Sequence, residues 1–127
     1  MKLSLCAGDT FLTVSKDIRD HLWFIISDPT LDELNVLFVN LTTWEREKDE
    51  SCILDRGDHP FITHKSIINY ADARVTSIAN LAKLHELNQI YRKEPVSSAV
   101  LARIRQGLRM SPHSIHGHKK IMEDQSL

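Results

Sequence analysis

Five consecutive apolar residues, Leu22-Trp23-Phe24-Ile25-Ile26, followed almost at once by Asp28-Pro29-Thr30, constrain this chain more than any other feature. The run is far too short to cross a membrane, which takes about 20 apolar residues. It lacks the polar alternation of a half-exposed strand, so the expectation is a strand over His21–Ser27 with both faces buried. Pro29 fixes φ and Asp28 favours a turn, so the strand must stop there.

The segments on either side read the same way. Gly8–Asp9 predicts a turn, and the β-branched and aromatic Thr10–Val14 a strand. Lys16–Asp20 is a charged connector and Leu31–Leu34 a loop. Asn35–Thr42 is the next strand, with Val36, Phe38 and Asn40 on one face and Leu37, Val39 and Leu41 on the other. The six charged residues of Glu45–Glu50 must face solvent. Ser51–Leu54 is a short strand and Asp55–Asp58 a turn. Phe61–Thr63 and Ser66–Tyr70 are short extended pieces. After Tyr70 the period becomes helical: Ile78, Leu81, Ala82 and His85 form a stripe, widened by Leu84 and Leu87, over Ser77–Ile90. Glu94–Pro95 breaks that helix. Ser97 or Ser98 caps a second helix carrying Leu101, Ile104 and Leu108, with Gly107 near its end.

Strands joined by short connections, with no helix among the early ones, imply antiparallel pairing rather than a parallel βαβ fold. A small curled sheet removes its edges by closing on itself. The expected class is therefore α+β, a small antiparallel β-barrel with C-terminal helices covering one side or one mouth. At 127 residues, 42% hydrophobic and 26% charged, one domain over residues 1–110 can hold its own core. Residues 111–127 lack apolar periodicity, which predicts a mobile tail that adds little stability. Leu3–Cys6 is too short for a secretory signal core. Cys6 and Cys52 have no paired spacing and read as reduced thiols of a cytoplasmic protein, although the fold could bring them together.

The net charge of −1 conceals an acidic front and a basic back: residues 81–127 carry eight Lys and Arg against four Asp and Glu. Such a segment could meet nucleic acid or an acidic partner; attraction between the two halves, or a solvated helix face, is the simpler reading.

Gly8-Asp9 before the first strand, Ile25-Ile26-Ser27-Asp28 closing the second, and Val36-Leu37-Phe38-Val39-Asn40-Leu41-Thr42-Thr43 resemble the start of the PemK/MazF-like family. Ser66-Ile67-Ile68 is similar to a later family strand, and the helix with Leu101, Ile104 and Leu108 to its C-terminal helix. The resemblance spans roughly residues 8–110. It implies an SH3-like barrel with C-terminal helical elements, and an endoribonuclease toxin that works as a homodimer and is held inactive by an antitoxin. Thr42 or Thr43 matches the catalytic Thr or Ser that ends the family's third strand. The second strand of the family begins with Arg-Pro, and that Arg serves cleavage; here His21-Leu22-Trp23 stands in its place, and Arg19 is nearby but out of register.

Metal-independent RNA cleavage needs a base for the 2′-OH, an acid for the leaving oxygen, and donors for the charged phosphorane. Histidine suits both proton roles. The segment from Arg56 to Ser66 concentrates such groups: His59 and His64, the cations Arg56 and Lys65, Asp58 to orient a histidine, and hydroxyls including Ser66. Pro60 stiffens it. With His21, Thr42 and Thr43 it forms a candidate catalytic set; equally, it has the composition of a polar turn. Trp44 could stack on a base or pack as a lid on the barrel. His113, His116 and His118 have metal-like spacing but no accompanying Cys or carboxylate. No phosphate loop or nucleophile elbow is present, a mobile tail would not hold a fixed metal geometry, and no metal or cofactor is expected. The candidate function is a toxin-like endoribonuclease cutting single-stranded RNA; the alternative is a non-catalytic barrel that binds a protein or nucleic-acid partner.

Overall fold

A computed structural model describes residues 4–14 and 21–127. Six strands form one antiparallel sheet in the order β4-β5-β3-β2-β1-β6: β1 Thr10–Thr13, β2 Leu22–Ile25, β3 Val36–Thr43, β4 Ile53–Leu54, β5 Ser66–Thr76 and β6 Ile90–Lys93. The sheet curls into a half-barrel, and three helices complete the α+β fold: α1 Ile78–Glu86, α2 Ser98–Met110 and α3 His116–Asp124.

The apolar run is the centre of this sheet. Phe24 and Ile25 are fully buried because each face of β2 meets a different core. On one face Leu22 and Phe24 join Leu37, Val39 and Leu41 of β3, with Ile104 and Leu108 of α2 packed above them. On the other, Trp23 and Ile25 join Phe11, Val36, Phe38, and Leu81 of α1. The two faces expected for β3 are the two faces found. Phe38 contacts Phe11 at 5.7 Å and Trp23 at 5.1 Å between ring centroids, tilted rather than stacked, as ring quadrupoles prefer.

The elements differ from expectation in three ways. First, α1 ends at Glu86, not Ile90. Asn88 takes a left-handed φ of 57°, the chain reverses, and the Gln89 carbonyl accepts from the Val14 amide. Ile90 thereby enters a strand against β1 and is buried in the sheet instead of on a helix, while Leu87 is left exposed.

Second, the extended region after Ser66 is one strand of 11 residues. The pairing of β3 with β5 slips between Phe38 and Asn40, so that Tyr70–Ala73 bulge out of register. Ala71-Asp72-Ala73 within the bulge interrupts the apolar alternation that would have revealed the strand. Phe61–Thr63 is likewise not extended: His59–Ile62 is a turn closed by the Ile62 amide on the His59 carbonyl at 3.0 Å, with Pro60 at its second position, where a fixed φ is favourable.

Third, residues 111–127 are not a loose tail. Ser111 is buried and bonded to Asp49, and Met122 of α3 is 1% exposed within the core that α2 covers. The Gln125 side chain accepts from the Asp28 amide at 2.7 Å. The helix is only nine residues long and carries few apolar positions, Ile121 and Met122 among them. Two such anchors are too few to register as a period. Among the described residues no helix is long and apolar enough to cross a membrane. Cys6 is exposed, Cys52 is buried and both are free.

Candidate active site

Where β2 begins and β3 ends, the sheet meets the loop between β4 and β5. A cleft of about 200 Å³ opens there. Strand pairing explains its contents. Trp23 lies opposite Asn40, so the same ladder extended outward sets His21 beside Thr42. Thr42 and Thr43 pair with Ile67 and Ser66, and the chain entering β5 therefore brings Thr63 and His64 alongside. Leu22, Leu41, Phe61 and Ile62 supply the apolar part of the lining.

The two histidines of the cleft are held differently. His21 Nδ1 lies 3.2 Å from the Leu41 carbonyl oxygen. A carbonyl can only accept, so Nδ1 carries the proton and Nε2 is left as the basic nitrogen of the neutral ring. The His64 ring lies between two hydroxyls, with Nε2 3.3 Å from Thr43 Oγ1 and Nδ1 3.3 Å from Thr63 Oγ1. A hydroxyl donates or accepts, so His64 can hold its proton on either nitrogen without a conformational change. His64 is exposed and His21 half-buried.

The other candidates divide around this cleft. Ser66 lines it, but its hydroxyl donates to the His64 carbonyl at 2.9 Å and so holds the loop. Arg56 Nε donates to the Thr63 carbonyl at 2.6 Å. Its exposed guanidinium is thereby kept beside the segment that carries His64. Lys65 Nζ sits 4.0 Å from the centroid of the Trp44 ring, a cation–π contact. Trp44 Nε1 donates to Glu50 at 2.7 Å. Trp44 thus packs against its own neighbours. Asp58 does not orient a histidine. It accepts from the Asp55 amide at 2.9 Å and pairs with Arg103 of α2 at 3.0 Å, so it fixes the turn and ties it to the helix. Arg19 lies outside the described residues.

His59 is absent from the cleft lining and is 3% exposed. Its environment is that of a structural group, so the segment's two histidines do not form one pair. Thr63 is the site residue that the sequence reading did not single out. Its only signal was a hydroxyl adjacent to His64. Among the described residues no three His, Cys, Asp or Glu side chains come together as a metal site requires. His118 is part-buried on α3, and burial lowers its pKa from the ordinary value.

Comparison of the chain with protein-family models, with curated proteins and with solved structures gives no match.

Proposed function

We propose that this protein is a metal-independent endoribonuclease of the toxin type, acting on single-stranded RNA through the cleft of His21, Thr42, Thr43 and His64. One observation carries the reading: three segments distant in sequence converge to set two histidines and two threonine hydroxyls in a single cleft. His21, whose Nε2 is the basic nitrogen of this tautomer, takes the proton of the 2′-OH. His64, acting as the imidazolium with a proton on each nitrogen, gives one of them to the leaving 5′ oxygen and is left neutral. The 2′ oxygen attacks phosphorus, the bond to the 5′ oxygen breaks, and a 2′,3′-cyclic phosphate remains. Thr42 and Thr43 donate to the phosphorane oxygens. Arg56 and Lys65 flank the cleft and attract the RNA backbone in place of the family Arg. The resemblance to PemK/MazF-like toxins adds a homodimer, an antitoxin partner and a cytoplasmic location to the same reading.

The test is cleavage of single-stranded RNA by the purified chain in excess EDTA, with the product ends identified. The expected result is a cyclic phosphate or 3′-phosphate. His21→Gln and His64→Gln should each lower the rate by about 10²–10⁴-fold, the usual contribution of a general acid or base. A requirement for Mg²⁺, or full activity in both variants, overturns the scheme. His21-Leu22-Trp23 in place of Arg-Pro favours one other reading, a barrel that binds without cutting; RNA or protein retained by an inert chain would support it.

A further inference from the structure

His59 serves no proton transfer in the scheme above, yet it is the most completely engaged histidine among the described residues. Its Nδ1 accepts from the Phe61 amide at 3.0 Å. A nitrogen that accepts cannot also hold the ring proton, so that proton is on Nε2. Nε2 donates to the Glu94 carbonyl at 2.6 Å and lies 3.2 Å from Thr10 Oγ1. The Thr10 hydroxyl donates to that same Glu94 carbonyl at 2.7 Å. The ring meets Phe24 edge-on at 6.4 Å. Both nitrogens are therefore satisfied in a single tautomer within an apolar wall.

The topology gives these bonds their meaning. In the strand order, β4 and β5 lie at one edge of the sheet and β1 and β6 at the other. His59 belongs to the loop between β4 and β5, Thr10 to β1, and Glu94 directly follows β6. The imidazole thus bridges the two edges where no strand pairing does. Five residues along the same loop stands His64, and Ile62 between them is buried in the core. A loop pinned at His59 and Ile62 has little freedom left in placing His64.

We infer that His59 is a positioning residue: a clasp that closes the half-barrel by joining the 55–65 loop to the β1–β6 edge, and so holds His64 against Thr43. The inference rests on the reading of the cleft as a catalytic site, but the clasp itself can be measured without catalysis. Two variants of the full chain separate the possibilities. His59→Phe fills the space and removes both hydrogen bonds. His59→Gln retains an Nε2 donor for the Glu94 carbonyl.

In His59→Phe, exchange of the Ile62 amide should speed up at least tenfold, and the magnetisation-transfer contact between the His64 ring and the Thr43 methyl should be lost. On RNA, kcat should fall about 10²-fold, the scale of a 1 Å misplacement, with KM little changed. His59→Gln should restore most of the contact and the rate. Its pH–rate profile should keep both limbs, because a positioning residue carries no transferred proton, whereas His64→Gln loses one limb. Wild-type exchange and an intact contact in His59→Phe overturn the clasp, and a lost limb in His59→Gln overturns the positioning role. If the wild-type chain cuts no RNA, the proposed function fails while the exchange and contact measurements still decide the clasp. If His59→Phe does not fold, His59→Asn decides, because it keeps an acceptor for the Phe61 amide but is too short for the Glu94 carbonyl: a lost contact with faster Ile62 exchange supports the inference, and an intact contact with wild-type exchange refutes it.

Discussion

Gly107 is the position where the fold has least room for change. It lies in the last turns of α2, where the helix crosses the sheet over Tyr70 and Cys52. A methyl group there would overlap the Tyr70 hydroxyl and come within 2.9 Å of Cys52 Cβ. Tyr70 cannot easily retreat. It is 2% exposed and its hydroxyl donates to the Ile104 carbonyl at 2.7 Å, one turn earlier on the same helix. Burial foremost, and then the neighbouring Cys52, raises the pKa of this phenol far above the ordinary value, so it remains a neutral donor. Burial likewise raises the Cys52 thiol, which stays protonated.

Gly107→Ala sets three effects against one another. Alanine favours the helix by about 1 kcal/mol over glycine. Overpacking a close-packed core costs about 1–3 kcal/mol. Displacing the Tyr70 hydroxyl from its buried acceptor costs a further 1–3 kcal/mol or so. The net is a loss of about 1–5 kcal/mol. In urea, with a slope of about 2 kcal/mol/M, the midpoint falls by about 0.5–2.5 M. Tyr70→Phe supplies the control, because it removes the overlapping oxygen. Alone it should cost about 1 kcal/mol for the lost hydrogen bond. In that background Gly107→Ala should cost clearly less than in the wild type, a coupling between contacting residues of the kind a double-mutant cycle reads. A Gly107→Ala chain as stable as wild type, or equal costs in the two backgrounds, would refute the argument from close approach.

Three further outcomes follow from the C-terminal region. Met122→Ala should lower stability by about 2–4 kcal/mol in urea melts, and deletion of residues 112–127 by more, since a buried Met is lost with its surroundings; an unchanged melt would mean that α3 does not pack. At Asp49, burial raises the carboxyl pKa, but hydrogen bonds from the hydroxyls of Ser111 and Ser51, aided by the Ser51 amide and His113, outweigh it and hold the group below the ordinary value. The unfolded chain then takes up the proton first, so this stabilisation is present above about pH 4 and is lost as pH falls through the folded value. The urea midpoint should drop more steeply on acidification in the wild type than in Asp49→Asn, and parallel curves would contradict this. His118 has the same sign at higher pH: its folded pKa is lowered from 6.5 by burial, so stability should decline below about pH 6.5 and His118→Gln should flatten that decline.

The sheet was legible in the sequence where packing is two-sided or strictly alternating. Leu22–Ile26 and Val36–Leu41 admit one arrangement each, and Ser97 accepts from the Val100 amide at 3.2 Å as a capping serine should. Legibility failed where tertiary contacts override local pattern. Ile90 extends the α1 stripe in sequence, yet it pairs with Thr13 in the sheet. Nothing local distinguishes those fates; the signal, in retrospect, is Asn88, a residue type that tolerates the left-handed turn required before the chain can reverse. Residues 71–73 hide a strand because a bulge breaks its alternation. Residues 111–127 hide a helix because its hold on the core comes from Met122 and from polar bonds of Ser111 and Gln125, which no periodicity records.

The candidate site shows the same limit in sharper form. His59 and His64 lie five residues apart in one polar segment, and residue type alone recommends both for proton transfer. What separates them is the chemistry of their partners. His59 faces a backbone amide, which can only donate, and a backbone carbonyl, which can only accept, so one tautomer is fixed and a proton cannot move through the ring without breaking a bond. His64 faces two hydroxyls, each able to reverse its role, so its proton can change nitrogen while both contacts persist. Main-chain partners suit a histidine that holds a structure, and reversible partners suit one that works. Those partners come from residues 43, 61 and 94 as well as the adjacent Thr63, and only folding brings them to the rings. The composition of the segment could nominate both histidines, but only the fold, which carries His59 of the β4–β5 loop to Thr10 and the Glu94 carbonyl, tells their surroundings apart.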